Sequence, residues 1–242
     1  WNLLKRLLLK FVKYYLPILI LSVLAVLWLY KMEHKKLISL QQDELANKKQ
    51  LIVELLKPMI ANLYYWEQYG FSESDFDPDK NAHLDKKIGD FVIGMDSYSQ
   101  FRLINLSGKE VYRLNRQDNG KIVKSVALQD KADRNYYQTT TDLKKSQIYL
   151  SPLNLNQENG ILEFPYKPMI RGVAPIFDAL GNKLGIVVIN FSAERFLEIL
   201  KKDNHYSFML LDRFGNYLVS KDSIKEFAHL IPKSRNITFY EE

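Results

Sequence analysis

Residues 170–191, Ile170-RGVAPIFDALGNKLGIVVIN-Phe191, decide the fold class. Two runs of β-forming residues flank Leu180-Gly181-Asn182, and a Gly-Asn pair between such runs is a turn signal. The stretch reads as an antiparallel hairpin. One charge, Arg171, sits inside its first strand. Alternation along a strand aims that arginine either into a pocket or into solvent.

Working outward, Phe101-RLINLSGKEVYR-Leu114 reads as a second hairpin turning at Ser107-Gly108, and Ile148-YLS-Pro152 as a further strand. Residues 98–191 therefore predict about five strands, with helical connections between the second and third, an antiparallel α+β layer. A helix is expected after it, with Ser192 as N-cap and Phe191 and Phe196 as a hydrophobic staple. Phe208-MLLDRF-Gly215 repeats the pattern of Phe101-RLINLS-Gly108, so a copy of the opening hairpin is expected to begin near Tyr206. Residues 70–94 are polar and read as loop. Asp75, Asp77 and Asp79 imitate the start of a calcium loop, but Lys80 and Lys86 stand where that loop requires Gly and Glu.

Charge separates the chain's two ends. Residues 1–36 hold seven basic groups and one acid, and the remainder balances at 27 against 27. A nucleic-acid binder needs its excess on the folded domain, so no nucleic-acid partner is expected. The excess instead flanks Tyr15-LPILILSVLAVLWL-Tyr30, sixteen uncharged residues. Residues 11–30 read as a transmembrane helix with a lipid bilayer as partner, and a signal peptide is disfavoured by the absence of a small-residue cleavage site. The basic residues before and after the span nearly tie, so charge alone does not orient it. The first residue is Trp, and the natural start is expected upstream.

A helical pattern follows over residues 31–69. Ile38, Leu45, Ile52, Met59 and Trp66 recur every seven residues, with Leu56 and Leu63 at the alternate position. That seam serves either packing on the chain's own domain or a homodimer through residues 37–69, and Pro58 within it is expected to kink the helix.

Enzyme signals are absent. The chain has no cysteine, no nucleophile elbow, no phosphate-binding glycine loop and no His-Glu-x-x-His. Its histidines, His34, His83, His205 and His229, are scattered. No catalytic residue, metal or cofactor is expected.

The runs Arg134-NYY, Ile148-YLSPLNLNQENG and Pro168-MIRGVAPIFDALGNKLGIVVIN resemble double Cache, PAS-like ectodomains of bacterial sensor histidine kinases and diguanylate cyclases, over roughly residues 30–242. The resemblance implies a cytoplasmic segment (1–10), a membrane helix (11–30), a juxtamembrane helix (31–69), a membrane-distal lobe (70–202) and the start of a proximal lobe (203–242). The broken repeat and the neutral balance of residues 37–242 predict completion of that lobe and a second membrane helix beyond residue 242, and the resemblance implies a kinase or cyclase output module after it, with residues 31–242 outside the inner membrane.

Amino-acid-sensing members hold the ligand carboxylate with an Arg-x-Trp-Tyr motif, which here reads Arg134-Asn135-Tyr136-Tyr137. They hold the ligand amine with aspartates, one near the end of the last strand, where this chain has Asn190. Asn154 and Asn156 occupy the loop where another aspartate would be sought. An asparagine carbonyl is a weaker ammonium acceptor than a carboxylate, so the resemblance points to a small carboxylate or other anion. The candidate ligand set is Arg134, Tyr136, Tyr137, Tyr149, Asn154, Arg171 and Asn190. From the residues alone, Arg134 either grips an anion with its planar fork or caps a surface turn while the tyrosines fill the core. A lobe that binds a protein partner and a membrane-tethered enzyme remain the alternative functions.

Overall fold

The computed structural model describes residues 1–158, 160–202, 208–232, 234 and 236–241. They divide into two units, residues 1–51 and 52–242. The first unit is helical throughout its length from Asn2 and belongs to helix α1 (Asn2–Glu67). All of its apolar side chains between Leu16 and Tyr30 are exposed, and the helix is long and apolar enough to cross a membrane. Helix α1 is continuous through Pro58.

In the second unit, the end of α1 presents Met59, Leu63 and Trp66 at helical spacing, all fully buried. Their partner is the chain's own sheet. A methyl group at Gly172 would stand 2.6 Å from both Leu63 Cδ1 and Met59 Cε, so these two side chains pack directly over the bare strand backbone at Gly172. Met59, Leu63 and Trp66 are therefore unavailable to a partner helix, which corrects the dimer expectation for the second half of the seam.

Residues 70–94 also depart from the loop expectation. They form two short 3-10 turns (Glu73–Phe76 and Asn81–His83) and helix α2 (Leu84–Ile93). Leu84, Ile88 and Val92 recur every fourth residue and are buried, an apolar stripe on a helix that also carries Asp85, Lys86, Lys87 and Asp90. The aspartates of the calcium-like stretch have local partners: Asp75 faces His83 Nε2 at 2.8 Å and Asp77 pairs with Lys80 at 2.7 Å.

The strands are β1 (Tyr98–Asn105), β2 (Glu110–Arg116), β3 (Ile122–Lys124), β4 (Tyr149–Leu150), β5 (Asn154–Leu155), β6 (Gln157–Glu158), β7 (Ile161–Leu162), β8 (Pro168–Phe177) and β9 (Lys183–Ser192). Seven of them form one antiparallel sheet in the order β3-β2-β1-β9-β8-β4, with β5 also on β8, while β6 and β7 make a separate small hairpin. The short helix α3 (Asn135–Gln138) lies in the connection between β3 and β4.

Both expected hairpins are present, β1–β2 and β8–β9. Ser192, expected as an N-cap, instead ends β9. Helix α4 (Glu194–Lys201) is preceded by Ala193, whose N–H donates to Pro168 O at 2.8 Å, because sheet pairing already holds the backbone there. In the repeat, β10 (Leu210–Leu211) pairs antiparallel with β11 (Tyr217–Val219) around Gly215. The expected start near Tyr206, and His205, lie outside the described residues.

Register sets what each face carries. Phe101, Ile189 and Gly172 lie in one cross-strand row, on the face that meets α1. One residue along, Gln100, Asn190 and Arg171 form a row on the opposite face, and Arg113, Arg102, Val188 and Val173 form its neighbour. One face is thus apolar under the helices. The other mixes an apolar floor with buried charges.

Candidate functional site

The apolar part of that second face consists of Ile104, Val173, Ile186 and Val188, with Tyr136 packed on them and Tyr137 and Tyr149 half-buried alongside. The charged part starts with Arg102 on β1. Its Nη1 donates to Asn190 Oδ1 at 3.1 Å, its Nη2 donates to Gln100 Oε1, and Asn190 Nδ2 donates to the same Gln100 oxygen at 2.7 Å.

Glu110 lies between the two arginines of the β1–β2 pair. Its carboxylate stands 3.0 Å from Arg102 Nε and 3.3 Å from Arg113 Nη1. The Arg102 contact is a facing pair of charges, not an aligned hydrogen bond. The Gln129 N–H also donates to Glu110 at 3.0 Å. A second carboxylate, Glu158 of β6, stands farther off, at 3.7 Å from Arg102 and 3.8 Å from Arg113, and accepts from Gln100 and Gln129. Burial alone would raise its pKa, but the Gln100 hydrogen bond and the charges of Arg102, Lys131 and Arg113 hold it below the usual carboxylate range.

Three further cations face this network from loops and from β8. The loop before α3 is pinned to the β1–β2 turn. Lys131 N donates to Gly108 O at 2.7 Å, and Gly108, at φ +83°, leaves no room for a Cβ beside Ala132. That anchor places Lys131 and, three residues on, Arg134 at the mouth of the sheet face. Arg134 takes the extended N-cap position of α3, which turns Tyr136 inward. Beyond α3, Lys183 Nζ donates to Thr141 O at 2.6 Å and holds the following turn.

Each of the three cations meets a neutral amide oxygen. Lys131 donates to Gln129, Arg134 to Gln157 at 3.0 Å, and Arg171 to Asn156 at 3.0 Å. The Arg171 guanidinium also lies 5.9 Å from the Tyr136 ring centre. Burial, then the charge of Arg102, push Arg171 down to about 10 and hold Lys131 below the usual lysine range. Burial raises the Tyr136 hydroxyl, so it stays a neutral donor.

The seven sequence candidates separate accordingly. Arg134, Tyr136, Arg171 and Asn190 converge on the charged part of this face. Tyr149 packs on its apolar floor. The Tyr137 hydroxyl donates to Leu106 O at 2.7 Å and so fastens the β1–β2 turn. Asn154 Oδ1 accepts from Leu155 N at 2.7 Å within β5, a local backbone role. Asn190 is occupied by Arg102 and Gln100, so its carbonyl organises a guanidinium.

Sequence reasoning missed Arg102, Arg113, Glu110, Lys131 and Glu158. The signal for the two arginines was present: each is a single charge between apolar strand neighbours, the feature that marked Arg171. A cleft of about 580 Å³, lined in part by Gln100, Arg113, Gln129 and Glu158, opens from the β2–β3 side onto the same network.

Residues 74–242 match the family model described as bacterial histidine kinase, sensor domain. Among solved structures, the chain is similar to a domain from Vibrio parahaemolyticus classed with the sensory box/GGDEF proteins. That match has 21% identity and a TM-score of 0.71, over 82% of this chain and 77% of that one. It is similar to the extracellular domain of vpHK1S-Z8, classed as a histidine kinase, at 20% identity and TM-score 0.69, over 82% and 73%. The ligand-binding domain of Campylobacter jejuni chemoreceptor Tlp3, in complex with L-valine, is more distant, at 14% identity and TM-score 0.60, over 83% and 77%. At these identities the likeness is one of fold, and no curated protein sequence matches the chain significantly. With the family model covering well over half of its residues, the chain belongs to the bacterial histidine kinase sensor domains, the receiving part of a signalling receptor.

Proposed function

We propose that this chain is the extracytoplasmic sensing region of an inner-membrane receptor, and that its ligand is a small anion, a carboxylate by preference. Residues 11–30 cross the bilayer, residues 1–10 lie on the cytoplasmic side, and residues 31–242 face the periplasm. Residues 70–202 form the membrane-distal lobe that takes the ligand, and residues 203–242 begin a second lobe. One observation carries the choice of ligand: among the described residues, this face of the sheet gathers Arg102, Arg113, Lys131, Arg134 and Arg171 with Glu110 and Glu158 as the carboxylates in ion-pair distance of any of them. Buried charge is costly unless paired, so that face is electrostatically complete with an anion bound.

Arg134 and Arg171 present planar forks that match a carboxylate, and Tyr136 supplies a wall between them and the apolar floor. Losing a charge-assisted hydrogen bond costs about 1.5–3 kcal/mol, roughly ten- to a hundredfold in affinity. Arg134→Ala and Arg171→Ala are each expected to weaken anion binding by that factor, and Arg134→Lys to recover little because the fork is lost. A thermal-shift screen of small carboxylates and amines, followed by titration of the variants, checks this. Amines outranking carboxylates, or an unchanged affinity in both alanine variants, would return these arginines to a structural role.

The receptor is proposed to be a homodimer through the exposed stretch of α1 that holds Ile38 and Leu45. Ile38 and Leu45 are exposed seam positions. Single cysteines placed there are expected to crosslink between copies in the membrane, and cysteines on the outward positions beside them to crosslink far less. Equal crosslinking all round the helix would remove the defined interface.

A further inference from the structure

Lys131, Arg134 and Arg171 differ from the other two cations of the site in what they face. Arg102 and Arg113 share Glu110 and Glu158, two charges against two. Among the described residues, no carboxylate lies within ion-pair distance of Lys131, Arg134 or Arg171. Each is held by the neutral oxygen of Gln129, Gln157 or Asn156. An amide carbonyl orients a cation without cancelling its charge, so three positive charges stay uncompensated at one mouth of the sheet. Lys131 and Arg171 are both at least nine-tenths buried, which removes solvent as the compensating medium.

The same arrangement excludes the ammonium group of a zwitterion. The two carboxylates able to receive it are engaged by Arg102 and Arg113, and the oxygen of Asn190 already accepts from Arg102. We infer that the site is built for a small dianion, not for an α-amino acid, with Lys131 as the residue that reads the second negative charge. This rests on the proposed anion-binding function and names its ligand class. Arg134 and Arg171 take one acidic group by their forks, and Lys131 supplies a point charge to the other. The three amide oxygens keep the cations oriented before the ligand arrives.

The test uses the full-length protein in detergent at mildly alkaline pH, where phosphate is a dianion. It is titrated with acetate and butyrate, with malonate and succinate, with inorganic phosphate and sulfate, and with L-valine. At least one dianion is expected to bind about tenfold or more tightly than either monocarboxylate, with L-valine no better than butyrate. Malonate or succinate leading identifies an extended dicarboxylate, and phosphate or sulfate leading identifies a compact tetrahedral anion.

Lys131→Met is expected to erase the dianion preference while butyrate binding persists, and Lys131→Arg, which keeps the charge, to retain it. A preference unchanged in Lys131→Met, equal affinity for mono- and dianions, or tighter binding of L-valine overturns the inference. If monocarboxylates bind in an Arg134-dependent way and dianions gain nothing, the anion site stands and only its dianion selectivity fails. If no anion binds and Arg134→Ala changes nothing, both fail together.

Discussion

Replacing Glu110 by glutamine is expected to lower folding stability by about 3–5 kcal/mol, the cost typical of breaking a buried ion pair from one side. The Glu110 side chain is completely buried, stands 3.0 Å from Arg102 and 3.3 Å from Arg113, and accepts the Gln129 N–H. Glutamine keeps the shape and one acceptor but removes the charge. Two buried guanidinium groups would then share only the more distant Glu158. For a domain of this size each kcal/mol moves the melting temperature by about 2–4 °C, so thermal unfolding should fall by roughly 10 °C. A change equivalent to less than about 1 kcal/mol would mean that water or a bound anion already screens the pair. Anions added to the variant are expected to recover part of the loss, because binding to the folded state alone stabilises it.

Trp66→Ala is expected to cost a similar amount, about 3–5 kcal/mol, by a different route. The indole is fully buried at the end of α1, with ring centres 4.9 Å from Phe101, 5.0 Å from Phe91 and 5.9 Å from Phe71. It joins the helix to β1 and to α2, so truncation leaves a cavity bounded by three separate elements that cannot all collapse into it. Trp66→Phe should lose much less, since the indole N–H has no hydrogen-bond partner to forfeit. Hydrogen exchange is the second readout: faster exchange along residues 59–67 and in α2, with β8–β9 unaffected, would localise the damage to this joint. Uniform acceleration across the sheet would instead show that the joint is part of one cooperative unit.

The Glu110 network and the Trp66 joint lie on opposite faces of one sheet, and they differ in how far they were legible beforehand. Met59, Leu63 and Trp66 announce a buried stripe by spacing alone, but spacing does not say against what they are buried. The heptad reading offered a partner helix. The structure decides otherwise: Met59 and Leu63 seat over Gly172 of β8 and Trp66 over Phe101 of β1, on the chain's own sheet.

Local sequence was sufficient where the determining physics is local. The β1–β2 and β8–β9 hairpins follow from β-branched runs around Gly108 and Gly181, and both glycines adopt the positive φ that their turns require. The exposed apolar helix follows from an uncharged run flanked by lysines. Helix α2 was not legible because only three of its residues, Leu84, Ile88 and Val92, make the buried stripe, and their spacing gains meaning once a sheet is present to receive them. The candidate site was half legible for a related reason. Arg134, Tyr136 and Arg171 stand out as types, whereas Arg102, Glu110, Lys131 and Glu158 look like ordinary strand and loop charges. Their meaning depends on which cation has a carboxylate and which has an amide, and that is fixed by strand register and by the folding-over of the 127–163 connection, which brings Glu158 to Arg102 and Gln157 to Arg134. Residue types and periods set the elements; pairing of charges across strands, a through-space property, was decided by the tertiary structure alone.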